Sequence, residues 1–259
     1  MSERGYDFTL QELMAVAASR EIHDKEKVIV GTGLPLLGSM LAMRTHAPNM
    51  IAIYESGTIE AKPSITPFSV ADSCLVPGAA MQGGLVEGLG IVHAGELDVG
   101  FLGGAQVDKF GNLNAHVIGD YYNPTVRFAG SGGSNDIGCG CKRTIVMMLH
   151  QKRRFVENVD FLTTPGYLTG GDAREKMGYP GNGPAVVVST LGILRFHPVT
   201  KEMYLESYHP GVTVKMIIEN TSWNLKINDD VKETEHPTVE EIRILREELD
   251  PTGIFLNKQ

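Results

Sequence analysis

Apolar residues first recur at helical spacing in Leu10, Leu13, Met14, Ala17 and Ala18, which predicts an amphipathic helix over residues 9–23. Thr9-Leu10-Gln11-Glu12 sets a hydroxyl and a carboxylate three residues apart, the spacing of a capping box. The period then shortens. Val28-Ile29-Val30 is a β-branched run that predicts a short strand. It breaks into Gly31-Thr32-Gly33-Leu34-Pro35, a glycine turn with a proline suited to a helix's first turn. Leu36 to Arg44 continues as helix until Ala47-Pro48, and Met50-Ile51-Ala52-Ile53-Tyr54 reads as a buried strand that ends in Glu55-Ser56-Gly57. Strand, helix, strand in this order favours parallel pairing through a right-handed crossover.

Residues 58–83 show no clear period and are punctuated by Pro63, Pro67 and Pro77, and long connections of this kind are often functional. Leu85 to Ala94 predicts a short helix, and Leu97 to Leu102 a second buried strand that ends in Gly103-Gly104-Ala105-Gln106-Val107-Asp108. Lys109 to Asn112 is a turn, and Leu113 to Ile118 resumes extended chain. Beyond the glycine-rich loop Gly130-Ser131-Gly132-Gly133-Ser134-Asn135, strands are expected at Thr144–Leu149, Asp160–Thr163 and Pro184–Ser189. A hairpin is expected from Leu191–Phe196 and Glu202–Ser207, then a short helix at Val214–Glu219. Thr238-Val239-Glu240-Glu241 opens a last helix that Asp250-Pro251 stops. Alternating strands and helices predict an α/β fold: an open, mostly parallel sheet flanked by helices.

A chain of 259 residues with 42% apolar content can bury a sizeable core, and its 30 glycines cluster as they do at tight turns and close backbone approaches. A formal net charge of −8 argues against broad nucleic-acid binding. The three cysteines, Cys74, Cys139 and Cys141, do not suit a disulfide scaffold and fit a reducing cytoplasm. Cys139-Gly140-Cys141 offers two ligands without a second pair, so no metal is expected. The N-terminus is polar, and no apolar run approaches the roughly 20 residues needed to span a bilayer, so no membrane association is expected.

The candidate chemistry sits at strand ends, where sites form in open α/β sheets. Glu55 can meet a ligand there, with Ser56 and Gly57 leaving room beside it; a merely solvated or helix-capping carboxylate is the other reading. Gly31 and Gly33 can turn backbone N–H groups and a helix N-terminus toward an anion, or form a tight turn with no ligand. If the strand ending at Glu55 neighbours the one ending at Gly103 and Gly104, an acyl carbonyl fits between carboxylate and amides. The Gln151-Lys152-Arg153-Arg154 run suits phosphates or a solvated surface. No H-E-x-x-H pair and no G-x-S-x-G elbow is present.

Taken in order, Gly31-Thr32-Gly33-Leu34-Pro35, Glu55-Ser56-Gly57, Gly103-Gly104-Ala105-Gln106-Val107-Asp108 and Gly130-Ser131-Gly132-Gly133 resemble the β subunit of family I CoA-transferases. The resemblance extends to Lys152-Arg153-Arg154-Phe155, Thr164-Pro165-Gly166 and Arg246–Pro251, and so to residues 1–259 as a single β-subunit domain. It implies the CoA-transferase and ribose-phosphate-isomerase type of fold. Glu55 matches the family's nucleophile, and Gly103 and Gly104 match its backbone oxyanion donors. Gly31, Gly33, Ser56, Gly57 and Ala105 are implied as contacts to coenzyme A. Coenzyme A or acyl-CoA is then a substrate and no cofactor is held permanently. A partner α subunit of similar fold completes a heterotetramer or larger assembly. The implied reaction is ping-pong CoA transfer between carboxylic acids, glutaconate-like or otherwise dicarboxylic or unsaturated, through a glutamyl-CoA thioester. An acyl-CoA hydrolase, or a C–C bond hydrolase or decarboxylase on the same scaffold, is the alternative; a non-catalytic binding role is a third reading, and the intact Glu-Ser-Gly puts transfer first.

Overall fold

The computed structural model describes residues 7–256. The chain forms two compact units, one drawn from both chain ends, up to Phe101 and from Glu235 onward, and one from Leu102–Thr234.

The first unit opens with α1 (Leu10–Ser19), whose N-terminus carries the expected capping box: the Glu12 amide donates to Thr9 Oγ1 at 3.2 Å, and the Thr9 amide donates to the Glu12 carboxylate at 2.7 Å. Then come β1 (Lys27–Ile29), α2 (Leu34–Arg44), β2 (Ile51–Ile53), β3 (Thr58–Ile59), β4 (Met81–Gln82), α3 (Leu85–His93) and β5 (Val99–Leu102). The strands lie in the order β5-β1-β2-β3-β4. β1 pairs in parallel with β2 and with β5, and β3 and β4 are added antiparallel. The strand-helix-strand order thus gives the parallel pair expected of it. The strands that lead to Glu55 and to Gly103 are not neighbours, however, because β1 lies between them. The stretch 58–83, which has no readable period, holds β3, a 3₁₀ turn at Ser73–Leu75 and β4. Two-residue strands are too short to show alternation.

α1 packs on α2 over fully buried Leu13, Val16, Leu36, Leu37 and Leu41. Gly38 permits the close approach, because a Cβ there would stand 3.1 Å from the Ala15 carbonyl. A C-terminal helix, Val239–Arg243, widens into a π-type turn over Ile244–Leu249. It returns to this unit through Arg20–Glu241 at 2.9 Å, Arg44–Glu248 at 2.9 Å and Arg246–Glu12 at 2.6 Å. Burial works against ionisation of Glu12, but hydrogen bonds from Arg246 and the Thr9 amide outweigh it and hold the carboxyl below its usual range.

The second unit contains two small antiparallel ribbons, β6 (Gln106–Val107) with β7 (Leu113–Asn114) and β8 (Val117–Gly119) with β9 (Pro124–Arg127). There follow α4 (Ser134–Gly140), β10 (Arg143–Met148), α5 (Ala173–Lys176), β11 (Pro184–Ser189), β12 (Gly192–Phe196), β13 (Met203–Tyr208), α6 (Val214–Glu219) and β14 (Lys226–Glu233). The main strands run β14-β13-β12-β11-β10, with β10–β11 parallel and β11–β12–β13 antiparallel. The expected hairpin and helix α6 are therefore present. Asp160–Thr163 is not a strand; Thr164 makes one isolated bridge to Leu113, while Asp160 bonds through its carboxylate and its amide to Gln106. The fold class is as expected: mixed, mostly parallel sheet flanked by helices.

Two buried groups organise the second unit. Arg174, 3% exposed, donates to the carbonyls of Gly138, Cys139, Pro165, Gly166 and Gly181, satisfying its charge with backbone dipoles instead of a carboxylate. His150 stacks flat on Phe155 with ring centres 3.7 Å apart, and its ring nitrogens bond Ser189 Oγ at 2.9 Å and Thr221 Oγ1 at 3.0 Å. Burial, aided by nearby His209, pushes the His150 pKa down to about 3.

Candidate active site

β1 and β2 run parallel, so their carboxyl ends leave one edge of the sheet. Beyond β2 the chain turns at Tyr54-Glu55-Ser56-Gly57. The Gly57 amide donates to the Tyr54 carbonyl at 2.8 Å, and the Tyr54 amide donates to the Thr58 carbonyl at 2.9 Å. Gly57 has φ +91°, and a Cβ on it would stand 2.4 Å from the Gly84 carbonyl oxygen, so glycine is required on both counts. Glu55 and Ser56 are half-buried at the tip. The Ser56 hydroxyl donates to the Val70 carbonyl at 2.6 Å, which ties the turn to the 58–83 segment.

The back of this turn rests on α3. A Cβ on Gly88 would lie 2.6 Å from the Glu55 carbonyl oxygen and 3.1 Å from that of Tyr54. Gly90, two residues on, has nothing within 4 Å of its Cβ position. Gly88→Ala should therefore lose about 1–3 kcal/mol through overpacking, and Gly90→Ala should gain about 0.5–1 kcal/mol from helix propensity. Thermal unfolding of the two variants checks this. Equal shifts would mean that α3 does not press on the Glu55 backbone.

Tyr54 is fully buried, and its hydroxyl has no hydrogen-bond partner. Burial raises its pKa, with a smaller contribution from Cys74, so the phenol stays protonated. Burial and then neighbouring Asp72 raise the Cys74 pKa, which leaves a thiol beside the turn and no thiolate to compete with a carboxylate as nucleophile.

Gly33 caps α2 with φ +79° and offers no side chain to the first-turn amides, and Pro35 follows in that turn. Gly31 has only ordinary contacts around its Cβ position. Gly103 is exposed and Gly104 half-buried. A Cβ on Gly104 would meet the Gln106 carbonyl at 3.1 Å and that of Asn114 at 3.3 Å. The Ala105 amide donates to the Asn114 carbonyl at 2.8 Å, which removes it from the amides that can face a ligand. Behind these residues the buried Gln106 Oε1 accepts from Asn114 Nδ2 at 2.7 Å and from the Asp160 amide at 3.0 Å.

No motif singles out Gly88, Asn114 or Asp160, and the motifs that hold Gln106 and Arg154 give no sign of the backbone contacts those residues make. A glycine inside the helical pattern Leu85–His93 is the one signal for a close approach. Among the histidines, His116 bonds Thr163 Oγ1 at 2.7 Å and packs on Phe161, and His197 Nδ1 accepts from two turn amides. An open cavity of about 430 Å³, lined by residues including His197, Glu202, Tyr204 and Lys226, contains none of the residues singled out by sequence. Among the described residues no cluster of three metal-ligating side chains occurs, and no helix is long and apolar enough to cross a membrane.

Comparison with known proteins gives a family match over residues 11–220 to the family described as Coenzyme A transferase. The chain is 40% identical to the B subunit of glutaconate CoA-transferase of Acidaminococcus fermentans over 258 residues, covering 96% of each. It is 40% identical to the B subunit of 3-oxoadipate CoA-transferase of Pseudomonas knackmussii over 241 residues, covering 92% of each. Its fold superposes on the crystal structure of the Acidaminococcus fermentans glutaconate enzyme with a TM-score of 0.92 at 39% identity, covering 98% of this chain and 99% of that one.

Proposed function

The chain belongs to the coenzyme A transferase family, and from that premise we propose that it is the β subunit of a heteromeric enzyme that moves CoA from one carboxylic acid to another, with Glu55 as nucleophile. The observation that carries the reading is the turn at the end of β2: a half-buried glutamate whose backbone is pinned by Gly57, Gly83 and Gly88. A nucleophile held on a rigid turn loses little freedom when it attacks.

The Glu55 carboxylate attacks the carbonyl carbon of an acyl-CoA, the C–S bond breaks, and a mixed anhydride and CoA thiolate result. The thiolate then attacks the glutamyl carbonyl, giving a glutamyl-CoA thioester and freeing the first carboxylate. A second carboxylate repeats the steps in reverse. No proton is gained or lost over the cycle, so no general base of tuned pKa is required. Each attack places negative charge on a carbonyl oxygen, and the Gly103 and Gly104 amides are the proposed donors to it, at about 3–4 kcal/mol per donor by analogy with other acyl transfers. Gly31, Gly33, Ser56, Gly57 and the Ala105 side chain are proposed to border coenzyme A, which is a substrate and not a resident cofactor. The Ser56 hydroxyl already donates to Val70 and so can only accept from it.

The substrate acids are proposed to be dicarboxylic or unsaturated, in line with the glutaconate and 3-oxoadipate named for the two relatives. Those relatives are B subunits, which supports an α partner; a heterotetramer or larger assembly working in the cytoplasm is part of the same proposal.

The co-expressed αβ complex, incubated with glutaryl-CoA without acceptor acid and then treated with borohydride, should carry a reduced glutamyl side chain on the Glu55 peptide in mass spectrometry. Steady release of CoA into water with no modified peptide would turn the reading to hydrolysis on the same scaffold.

A further inference from the structure

We propose that Arg154 is a positioning residue for the Gly103-Gly104 backbone, clamping it and lending it positive charge; this rests on the CoA-transfer reading for the identity of the charge that develops there. The basic run Gln151–Arg154 reads in sequence as a phosphate contact or a solvated patch. In the structure its residues diverge. Lys152 and Arg153 are exposed, whereas Arg154 is half-buried. Its guanidinium Nη donates to the Gly104 carbonyl at 3.4 Å and its Nε to Gln151 Oε1 at 3.4 Å, and no described carboxylate pairs with it.

The placement is built into the backbone. The Val107 amide donates to the Arg154 carbonyl at 2.7 Å, and the Val156 amide donates to the Val107 carbonyl at 3.0 Å, so 154–156 and 107 run side by side. Val107 and Phe155 form a parallel bridge. Phe155 is itself fixed, fully buried and stacked between His150 and Trp223. The guanidinium is therefore delivered to Gly104 by a rigid support.

The peptide plane between Gly104 and Ala105 is then held at both ends, its carbonyl by Arg154 and its N–H by the Asn114 carbonyl. Two successive glycines without such a clamp would sample many orientations, because glycine has the widest backbone freedom. Holding that plane anchors one end of the glycine pair and so narrows the directions open to the amides just before it. A cation not neutralised by a carboxylate also sets a positive potential where a tetrahedral oxyanion forms, and preorganised charge of this kind acts in the transition state more than on bound substrate.

The test uses R154M, which keeps the apolar stem and lacks donors, and R154K, which keeps the charge, both in the αβ complex. Hydrogen–deuterium exchange reads the clamp without turnover: amides in the 103–107 peptide should exchange at least about tenfold faster in R154M and close to wild type in R154K. Steady-state rates read its use: kcat should fall about 10- to 100-fold in R154M, with KM for acyl-CoA within about twofold, and R154K should recover most of the loss. Unchanged exchange overturns the proposal, and so does a raised KM at constant kcat, which would make Arg154 a phosphate ligand. If the wild-type complex hydrolyses acyl-CoA instead of transferring CoA, the transfer reading fails by itself. The same kcat ratio, read on hydrolysis, still decides the role of Arg154, because both reactions pass through a tetrahedral anion.

Discussion

Replacing Glu55 with alanine should slow CoA transfer at least about 10⁴-fold, while acyl-CoA binding stays near its wild-type strength. Loss of a covalent nucleophile removes the whole two-step route and leaves at best direct attack by the acceptor acid, and in other acyl-transfer enzymes such losses exceed about 10⁴. The fold should survive the change. The turn is held by backbone bonds, Gly57 to Tyr54 and Gly83 to Gly57, and by the contact of Gly88 with the Glu55 carbonyl, none of which uses the carboxylate. Paired measurements on the αβ complex, transfer rate by separation of the acyl-CoA species and melting temperature, separate chemistry from folding. Activity within about tenfold of wild type would leave Glu55 a solvated strand-end residue and return the chain to a binding role.

The second large effect is on acid stability. His150 is held neutral, its pKa pushed down to about 3 by burial and then by His209, against about 6.5 in an unfolded chain. Below pH 6.5 the unfolded chain takes up a proton that the folded one refuses. The stability difference is fully present above pH 6.5, erodes by about 1.4 kcal/mol per pH unit as pH falls, and amounts to about 5 kcal/mol lost by pH 3. His150→Gln removes the titrating group. It forfeits the stacking on Phe155 and so lowers stability at neutral pH, but the slope of unfolding free energy between pH 6 and 4 should flatten by about 1.4 kcal/mol per unit. Urea titrations at several pH values compare the slopes directly, and parallel slopes for the two proteins would sink the idea.

The parts of this fold that can be read from sequence are those in which a local pattern has room to repeat. α1 is announced by its capping box and by apolar positions at helical spacing, and the β12–β13 hairpin by two runs about a polar turn. β3 and β4, at two residues each, have no room for alternation, and the mostly exposed β14 mixes Asp229, Asp230 and Lys232 into a strand that lacks an apolar face. α4 is hidden because Gly133, Gly138 and Gly140 read as loop, although Gly138 is needed where a Cβ would strike Thr164 at 2.1 Å. At the site, the turn carrying Glu55 and the glycine pair are legible as residue types. Which strands lie beside each other is not, since pairing depends on long-range packing, and β1 comes between the two that chemistry suggests joining. The contacts of the supports, Gly88 with the Glu55 backbone and Arg154 with Gly104, are unreadable for the same reason, although the basic run that holds Arg154 is itself legible.

The return of the C-terminal helix to the first unit has a consequence for how the protein is made. Glu12 and Arg20 on and just beyond α1, and Arg44 at the end of α2, wait for Arg246, Glu241 and Glu248. Leu102–Thr234 must be synthesised before those partners exist. The partners lie 204 to 234 residues apart, so at ~5–20 residues per second the wait is roughly 10 to 47 seconds. On the ribosome the middle of the chain can be complete while α2 still lacks the Ile244–Leu249 turn that packs on it, and that unfinished unit is open to holding chaperones and to proteases. Helices α1 and α2, made well before their partners, are thus among the last parts to become native.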